Sequence, residues 1–322
     1  MSQNNQQVLQ VVADIGGTNA RFAYIQPGQT TLQGIEVFPC SQFPQFIDAV
    51  RAYTALGHVA NIESLCFAVA GPVEQDWIDL PNNHWAFSRC ELERELGVPV
   101  IVINDFSAQV LSVSALLDDE LHWIGGPRPE AEPNGVVAVL GPGTGLGVSA
   151  MLPSGDIIPS EGGHIGFAPT NQHQANVLAQ LWRRYERVSV ERVLSGAGLA
   201  NLYWANCRLD GLEKELAAPD VTAGARAGDV YCRRAVDDFC AILGAVAGDT
   251  ALAVGAYAGV YLSGGILPQM LDVIDTEQIR RNFQEKGRFS AICSQIPLAI
   301  VLAEYPGLVG CARQQAISHA HE

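Results

Sequence analysis

The chain is short of positive charge and nearly devoid of lysine. Among its 322 residues only Lys214 and Lys286 are lysines, and 19 basic residues face 34 acidic ones, a formal net charge of −15. A nucleic-acid groove or an anionic membrane surface demands the opposite sign, so neither partner is expected. A small anionic ligand stays compatible, provided that backbone N–H groups, helix N-termini and Mg²⁺ hold it. Long apolar runs are missing as well, each being broken by glycine, proline or charge well short of a membrane span. The opening Met1-Ser2-Gln3-Asn4-Asn5-Gln6-Gln7 has neither a basic nor an apolar region. That argues against a signal peptide and reads as a frayed polar tail. Paired cysteines are absent. The eight cysteines (Cys40, Cys66, Cys90, Cys207, Cys232, Cys240, Cys293, Cys311) form no C-x-x-C, and most sit in apolar context such as Leu65-Cys66-Phe67. This is the pattern of buried thiols in a reducing compartment, not of a disulfide framework or zinc site, and the expected address is the cytoplasm.

What is present describes a well-buried globular protein, 48% hydrophobic and 16% charged, long enough for one large domain or two ordinary ones. Residues 8–14 read as a buried strand, Ile15-Gly16-Gly17-Thr18-Asn19 as a turn, 20–25 as the returning strand and 35–38 as a third. Apolar spacing predicts a helix from 43 to about 56, then a strand over 64–70. Ser88-Arg89-Cys90-Glu91 is a capping box opening a helix that ends at Gly97. Val100-Ile101-Val102-Ile103 is a strand buried on both faces, followed by Asn104-Asp105 and a helix over 106–117. A proline- and glycine-rich passage over 125–135 reads as a loop. Strand, Gly-Thr turn and strand then recur: 136–140, Gly141-Pro142-Gly143-Thr144-Gly145-Leu146-Gly147, 148–152. Two such hairpins suggest a duplicated architecture. Helices are expected near 174–187, 196–207 and 229–254, strands at 259–262 and 298–303, and a last helix over 308–319 packing back on the first domain.

Several of these segments carry chemistry. In Asp14-Ile15-Gly16-Gly17-Thr18-Asn19-Ala20-Arg21 the glycines let backbone N–H groups face a phosphate, and Asp14 can hold the water shell of Mg²⁺; an ordinary hairpin turn has a similar composition. Gly141 to Gly147 fits neither G-x-G-x-x-G nor a Walker A loop, since Glu213 and Glu285 precede the two lysines, yet it makes a good cradle for phosphate oxygens. Asp105, at a strand's carboxyl end, is placed to accept the proton of a hydroxyl attacking phosphorus, or else to N-cap the helix that follows. Ser160-Glu161-Gly162-Gly163-His164-Ile165-Gly166 sets an acid and an imidazole among glycines, which suits a polyhydroxylated ligand; a buried salt-linked pair is the plainer alternative. Glu191 is a helix charge or a further ligand group. Asn82-Asn83-His84-Trp85 is a polar loop, and Ser263-Gly264-Gly265-Ile266 either closes over an adenine ring or turns the chain.

In this order and across nearly the whole chain, these motifs resemble bacterial ATP-dependent glucokinases, of the branch without the cysteine-rich zinc motif of the ROK sugar kinases. The resemblance implies the α/β actin-like ATPase (ribonuclease H-like) fold. It sets a small α/β domain of residues 1–115 plus 305–322 and a large α/β domain of 116–304 on either side of a cleft, in a homodimer. The implied reaction moves the γ-phosphoryl group of ATP to the 6-hydroxyl of D-glucose with Mg²⁺, giving glucose 6-phosphate and ADP. Carried over residue by residue, Asp105 is the general base, and Asn104, Asp105, Glu161, His164 and Glu191 bind glucose with Asn82 beside them. Ala13, Asp14, Ile15, Gly16, Gly17 and Thr18 straddle the phosphates together with Gly143, Thr144 and Gly145. Gly264 and Gly265 lie near adenosine, and Asp14 holds the metal through water. Two positions depart from the pattern: Gly166 stands where some relatives carry Asp, and Pro142, where a small residue is common, removes one N–H from the cradle. A kinase for another hexose and a non-catalytic sugar sensor are the rival readings. The retained Asp105 speaks against the sensor, and an ATP-driven conformational module would leave Glu161, His164 and Glu191 without a task.

Overall fold

The computed structural model describes residues 8–58, 61–129 and 134–320, so the tail 1–7 and part of the 125–135 passage lie outside the described residues. The chain divides into two compact units. One comprises the described residues of Met1–Leu117 and of Ala303–Glu322, the other those of Asp118–Leu302.

In the first unit, β1 (Val8–Ile15), β2 (Asn19–Ile25) and β3 (Gln33–Pro39) form an antiparallel meander, followed by α1 (Phe46–Ala55) and β4 (Asn61–Val69). A small hairpin, β5 (Trp77–Asp79) and β6 (Ala86–Ser88), leads into α2 (Arg89–Leu96), β7 (Val100–Asn104) and α3 (Asp105–Ser112). The five-stranded sheet has the order β3-β2-β1-β4-β7, with β1, β4 and β7 parallel. β1 and β4 are near-continuous apolar runs because both their faces are covered. On one face α1 seats Phe46 4.6 Å from Phe67 and Tyr53 5.3 Å from Phe22, ring centre to ring centre. Ser88 Oγ accepts the Glu91 N–H and Gly97 closes α2 at φ 69°, as the capping box predicts.

The second unit begins with β8 (Leu121–Gly125), then β9 (Val137–Pro142), β10 (Leu146–Met151) and β11 (Ile157–Ser160). Helices α4 (Gln172–Leu181), α5 (Gly196–Leu209), α6 (Ala218–Arg226) and α7 (Val230–Val254) follow. Next come β12 (Gly259–Leu262), α8 (Leu267–Met270), α9 (Thr276–Gln284), α10 (Ser290–Cys293) and β13 (Leu298–Val301). Its sheet runs β11-β10-β9-β12-β13-β8. Apart from the edge strand β8 this is the plan of the first sheet, an antiparallel meander followed by two parallel strands. Helices α7 and α9 approach so closely that a Cβ on Gly244 or Gly248 would overlap the carbonyl of Ile279 or Phe283. Finally α11 (Pro306–Ala320) returns to the first unit, where it packs on α3, β1 and β4.

Three expectations change. The glycine stretch is mostly strand, since β9 runs on to Pro142 and β10 starts at Leu146, leaving a turn of Gly143-Thr144-Gly145. The helix after β7 stops at Ser112 instead of 117. α6 and α9, which apolar spacing did not announce, are real helices. No described helix is long and apolar enough to cross a membrane. All eight cysteines are free, and all but Cys90 are buried.

Candidate active site

Within the first unit, β1 and β7 flank β4 and end on the same side of the sheet, which brings Asp14 and Asp105 to one edge. Asn104 and Asp105, at the start of α3, divide the work differently from the reading of Asp105 as the cap. Asn104 is the N-cap: its Oδ1 accepts from the N–H groups of Phe106 (2.9 Å) and Ser107 (3.2 Å), while its Nδ2 donates to Gly71 O at 3.3 Å. Asp105 begins the helix, and its Oδ1 accepts the adjacent Phe106 N–H at 2.9 Å. Burial pushes the Asp105 carboxyl up to about 6; the Phe106 N–H opposes this, and the negative charge of Asp14 adds to it. Asp14 is itself pushed up by burial, with Arg21, its register partner on β2, pulling it back from 3.9 Å.

The turn after β1 is held from two sides. Gly16 N–H donates to Asn19 O (2.9 Å), and Asn83 Nδ2 donates to Gly16 O (3.1 Å). A Cβ on Gly17 would stand 2.7 Å from the Asn82 carbonyl oxygen, so this glycine permits a close backbone approach. Gly17, Thr18, Asn82 and Asn83 line an open hollow of about 530 Å³ with Cys40 and His84. Ala13 and Ile15 are buried in the sheet and can offer a ligand backbone only.

In the second unit the turn Gly143-Thr144-Gly145 is closed by Gly143 N–H to Gly145 O at 2.8 Å. The N-terminus of α5 leans on it, Gly196 N–H donating to Gly143 O at 2.9 Å, and Ser195 caps that helix through Gly198 N–H. Gly264, at φ +87°, is pressed against Pro142, whose oxygen a Cβ would meet at 2.5 Å, whereas Gly265 has open space beside it.

Glu161, His164 and Glu191 come together on this unit. His164 Nε2 lies 4.0 Å from Glu161 Oε2, and its Nδ1 lies 3.9 Å from Glu191 Oε1. With 88% of the Glu161 side chain and 58% of the His164 side chain exposed, this is no buried salt-linked pair. The 3₁₀ turn Gly162–His164 packs so tightly on β10 that a Cβ on Gly163 would overlap the Leu146 carbonyl oxygen. Glu191 is not a solvated helix charge either: it lies in the 3₁₀ turn Val190–Arg192, and its Oε2 accepts the Leu146 N–H at 2.9 Å.

Sequence reasoning placed Asn83 in a polar loop without a role of its own and assigned nothing to Ser195 and Gly196. A Ser-Gly-x-Gly before a helix is a capping signal that would have found the last two. Asn83 has no local signal, since its partner is 67 residues away.

The sequence matches a family model described as Glucokinase over residues 11–317. The glucokinase of Chromohalobacter salexigens is 44% identical over 305 residues, 93% of this chain and 95% of that protein. A glucokinase crystal structure from an Antarctic psychrotroph matches with a TM-score of 0.87 at 33% identity, covering 95% of this chain and 98% of that one. The glucokinase of Balamuthia mandrillaris in complex with glucose, at 21% identity, a TM-score of 0.76 and 96% and 94% coverage, is alike in fold alone.

Proposed function

The chain belongs to the glucokinase family, and from that premise we propose that it phosphorylates D-glucose at the 6-hydroxyl with ATP, Asp105 acting as the general base. The observation that carries this reading is the state of Asp105. Asn104 does the capping, and burial lifts the Asp105 carboxyl to about 6, so near neutrality it is ionised yet more basic than an ordinary aspartate. As the sugar oxygen attacks the γ-phosphorus, its proton passes to Asp105, the new O–P bond forms, and the bond from phosphorus to the β–γ bridging oxygen breaks, releasing ADP.

Glu161, His164 and Glu191 supply hydrogen bonds to sugar hydroxyls, together with Asn82 and the remaining amide N–H of Asn104. Once a bound sugar covers these groups, an analogue lacking a hydroxyl leaves one of them unpaired and is rejected. The turns Gly16-Gly17-Thr18 and Gly143-Thr144-Gly145 offer backbone N–H groups to the phosphates, and Gly265 is open toward adenosine. No cluster of three or more His, Cys, Asp or Glu able to hold a metal occurs among the described residues. The two carboxylates Asp14 and Asp105 nonetheless concentrate negative charge at one edge, which suits a hydrated cation arriving with the nucleotide. Asp14 would hold Mg²⁺ through water, and the ion would neutralise phosphate charge that two lysines cannot. The actin-like ATPase assignment, the domains 1–115 plus 305–322 and 116–304, the homodimer and the cytoplasmic address belong to the same proposal. The repeated sheet plan, each copy with a glycine turn between its first two strands, supports the fold assignment.

The test is coupled detection of glucose 6-phosphate from purified protein with glucose, Mg²⁺ and ATP, with mannose and fructose run beside it. Turnover of glucose well above the others is the expected result. Turnover of another hexose only would move the substrate, and glucose binding without turnover would make the protein a sensor.

A further inference from the structure

One carboxylate in the second unit serves two groups at once. Glu191 Oε2 accepts the N–H of Leu146, the residue that leaves the Gly143-Thr144-Gly145 turn, and Glu191 Oε1 faces His164 Nδ1 at 3.9 Å. The backbone around it is tied to the same turn. Ser195 Oγ donates to Glu191 O at 2.8 Å, and the next residue, Gly196, donates its N–H to Gly143 O at 2.9 Å. Any shift of the Val190–Arg192 segment is therefore felt by the glycine turn through a side chain and through the backbone. Gly145 carries no Cβ where Glu191 needs the room, since one would stand 2.5 Å from Oε2.

We propose that Glu191 is a positioning residue that couples sugar occupancy to the geometry of the phosphate-binding turn, so that hexose and nucleotide bind cooperatively. This rests on reading Glu191, with His164 and Glu161, as sugar contacts and the glycine turn as a phosphate cradle. A hydroxyl donating to Glu191 Oε1 fixes the carboxylate, and the fixed Oε2 holds Leu146 N–H and the turn in one arrangement. With the sugar absent, the carboxylate rotates more freely and the turn samples more states, so the nucleotide bears the ordering cost. By linkage the effect is reciprocal, nucleotide tightening sugar by the same factor.

The experiment measures calorimetric dissociation constants for glucose and for a non-hydrolysable ATP analogue with Mg²⁺, each with and without the other ligand. The proteins are the parent chain, Glu191→Ala, Glu191→Gln, Gly145→Ala and the Gly145→Ala/Glu191→Ala double variant. In the parent, saturating glucose should tighten the analogue about five-fold or more. Glu191→Ala should bring that ratio close to one, and Glu191→Gln, whose amide oxygen can still accept the Leu146 N–H, should recover most of it. Gly145→Ala, whose new methyl displaces the Glu191 carboxylate, should lower the ratio in the parent background and add nothing in the Glu191→Ala background. A parent ratio of one with both ligands bound, an unchanged ratio in Glu191→Ala, or a full effect of Gly145→Ala in the double variant would each overturn the coupling. A parent protein that binds no glucose in the sugar-only titration would instead overturn the sugar-site reading beneath it.

Discussion

Asn104 caps the helix that Asp105 begins. Asn104 takes the N–H groups of Phe106 and Ser107 with one oxygen and fixes Gly71 with its nitrogen, so its neighbour's carboxylate shares the Phe106 N–H but is not the residue that closes the cap. The chemistry assigned to Asp105 depends on that division.

Asp105→Asn should keep the fold and glucose affinity within a few-fold of the parent and lose turnover by about 10²–10⁴, the usual worth of a positioned base. Steady-state kinetics beside glucose calorimetry checks this. Turnover near the parent's would remove Asp105 from the role of base.

The raised pKa sets the direction of two pH effects. The base must be ionised, so kcat/KM for glucose should fall about ten-fold per pH unit as pH drops below about 6. Stability moves the other way. Folding disfavours the ionised carboxyl, so its contribution is full below the unfolded value of 3.8 and is lost as pH rises through about 6. Asp105→Asn should accordingly be more stable than the parent at pH 8, by about 1–2 kcal/mol, and no more stable at pH 4. Denaturant titrations at the two pH values decide it; equal differences at both would contradict the buried-charge account.

Two glycines three residues apart should differ in their tolerance of substitution. A methyl on Gly163 has nowhere to go but the Leu146 carbonyl, so Gly163→Ala should cost about 1–3 kcal/mol and raise the KM for glucose. Gly166 has no atom within 4 Å of a prospective Cβ, so Gly166→Asp should stay within about 0.5 kcal/mol of the parent. Thermal unfolding of both variants would reveal any reversal of this order.

Among the eight cysteines only Cys90 is exposed, so a thiol reagent should label one cysteine in the native protein and eight after denaturation. Asp76 beside it holds the Cys90 thiol above its usual range, so labelling should quicken as pH is raised past 9. Rapid native labelling of a second cysteine would contradict the packing described.

Both hairpins were legible because buried Val- and Ala-rich strands bracket glycine clusters, and α2 because Ser88 and Gly97 mark its two ends. α9 was not: of Thr276–Gln284 only Ile279, Arg280 and Phe283 are buried, and the apolar signal is too thin to read against so many polar neighbours. β5 and β6, three residues each, are shorter than any periodicity can register. In the site, Asn104 and Asp105 are equally good caps by type, so nothing local said which would cap and which would be left. The reach of Glu191 to Leu146 spans 45 residues, a pairing made by tertiary folding and invisible to any window on the chain.

The return of α11 to the first unit bears on the order in which the molecule is made. Residues 118–302 are contiguous and can condense as soon as they leave the ribosome, whereas the first unit waits for its last helix. Gly310 lies against Ala108 with no room for a methyl, Cys311 Sγ donates to Ala13 O at 3.3 Å, and Ser64 bonds Gln315 at 3.0 Å. Until Pro306–Ala320 emerges, one face of β1 and β4 has no cover, and β1, the strand that carries Asp14, stands open to chaperones and proteases. A chain truncated just before Pro306 and released from the ribosome should therefore yield a protease-resistant second unit and a digestible first one. Equal resistance of the two would mean that the first unit closes without its final helix.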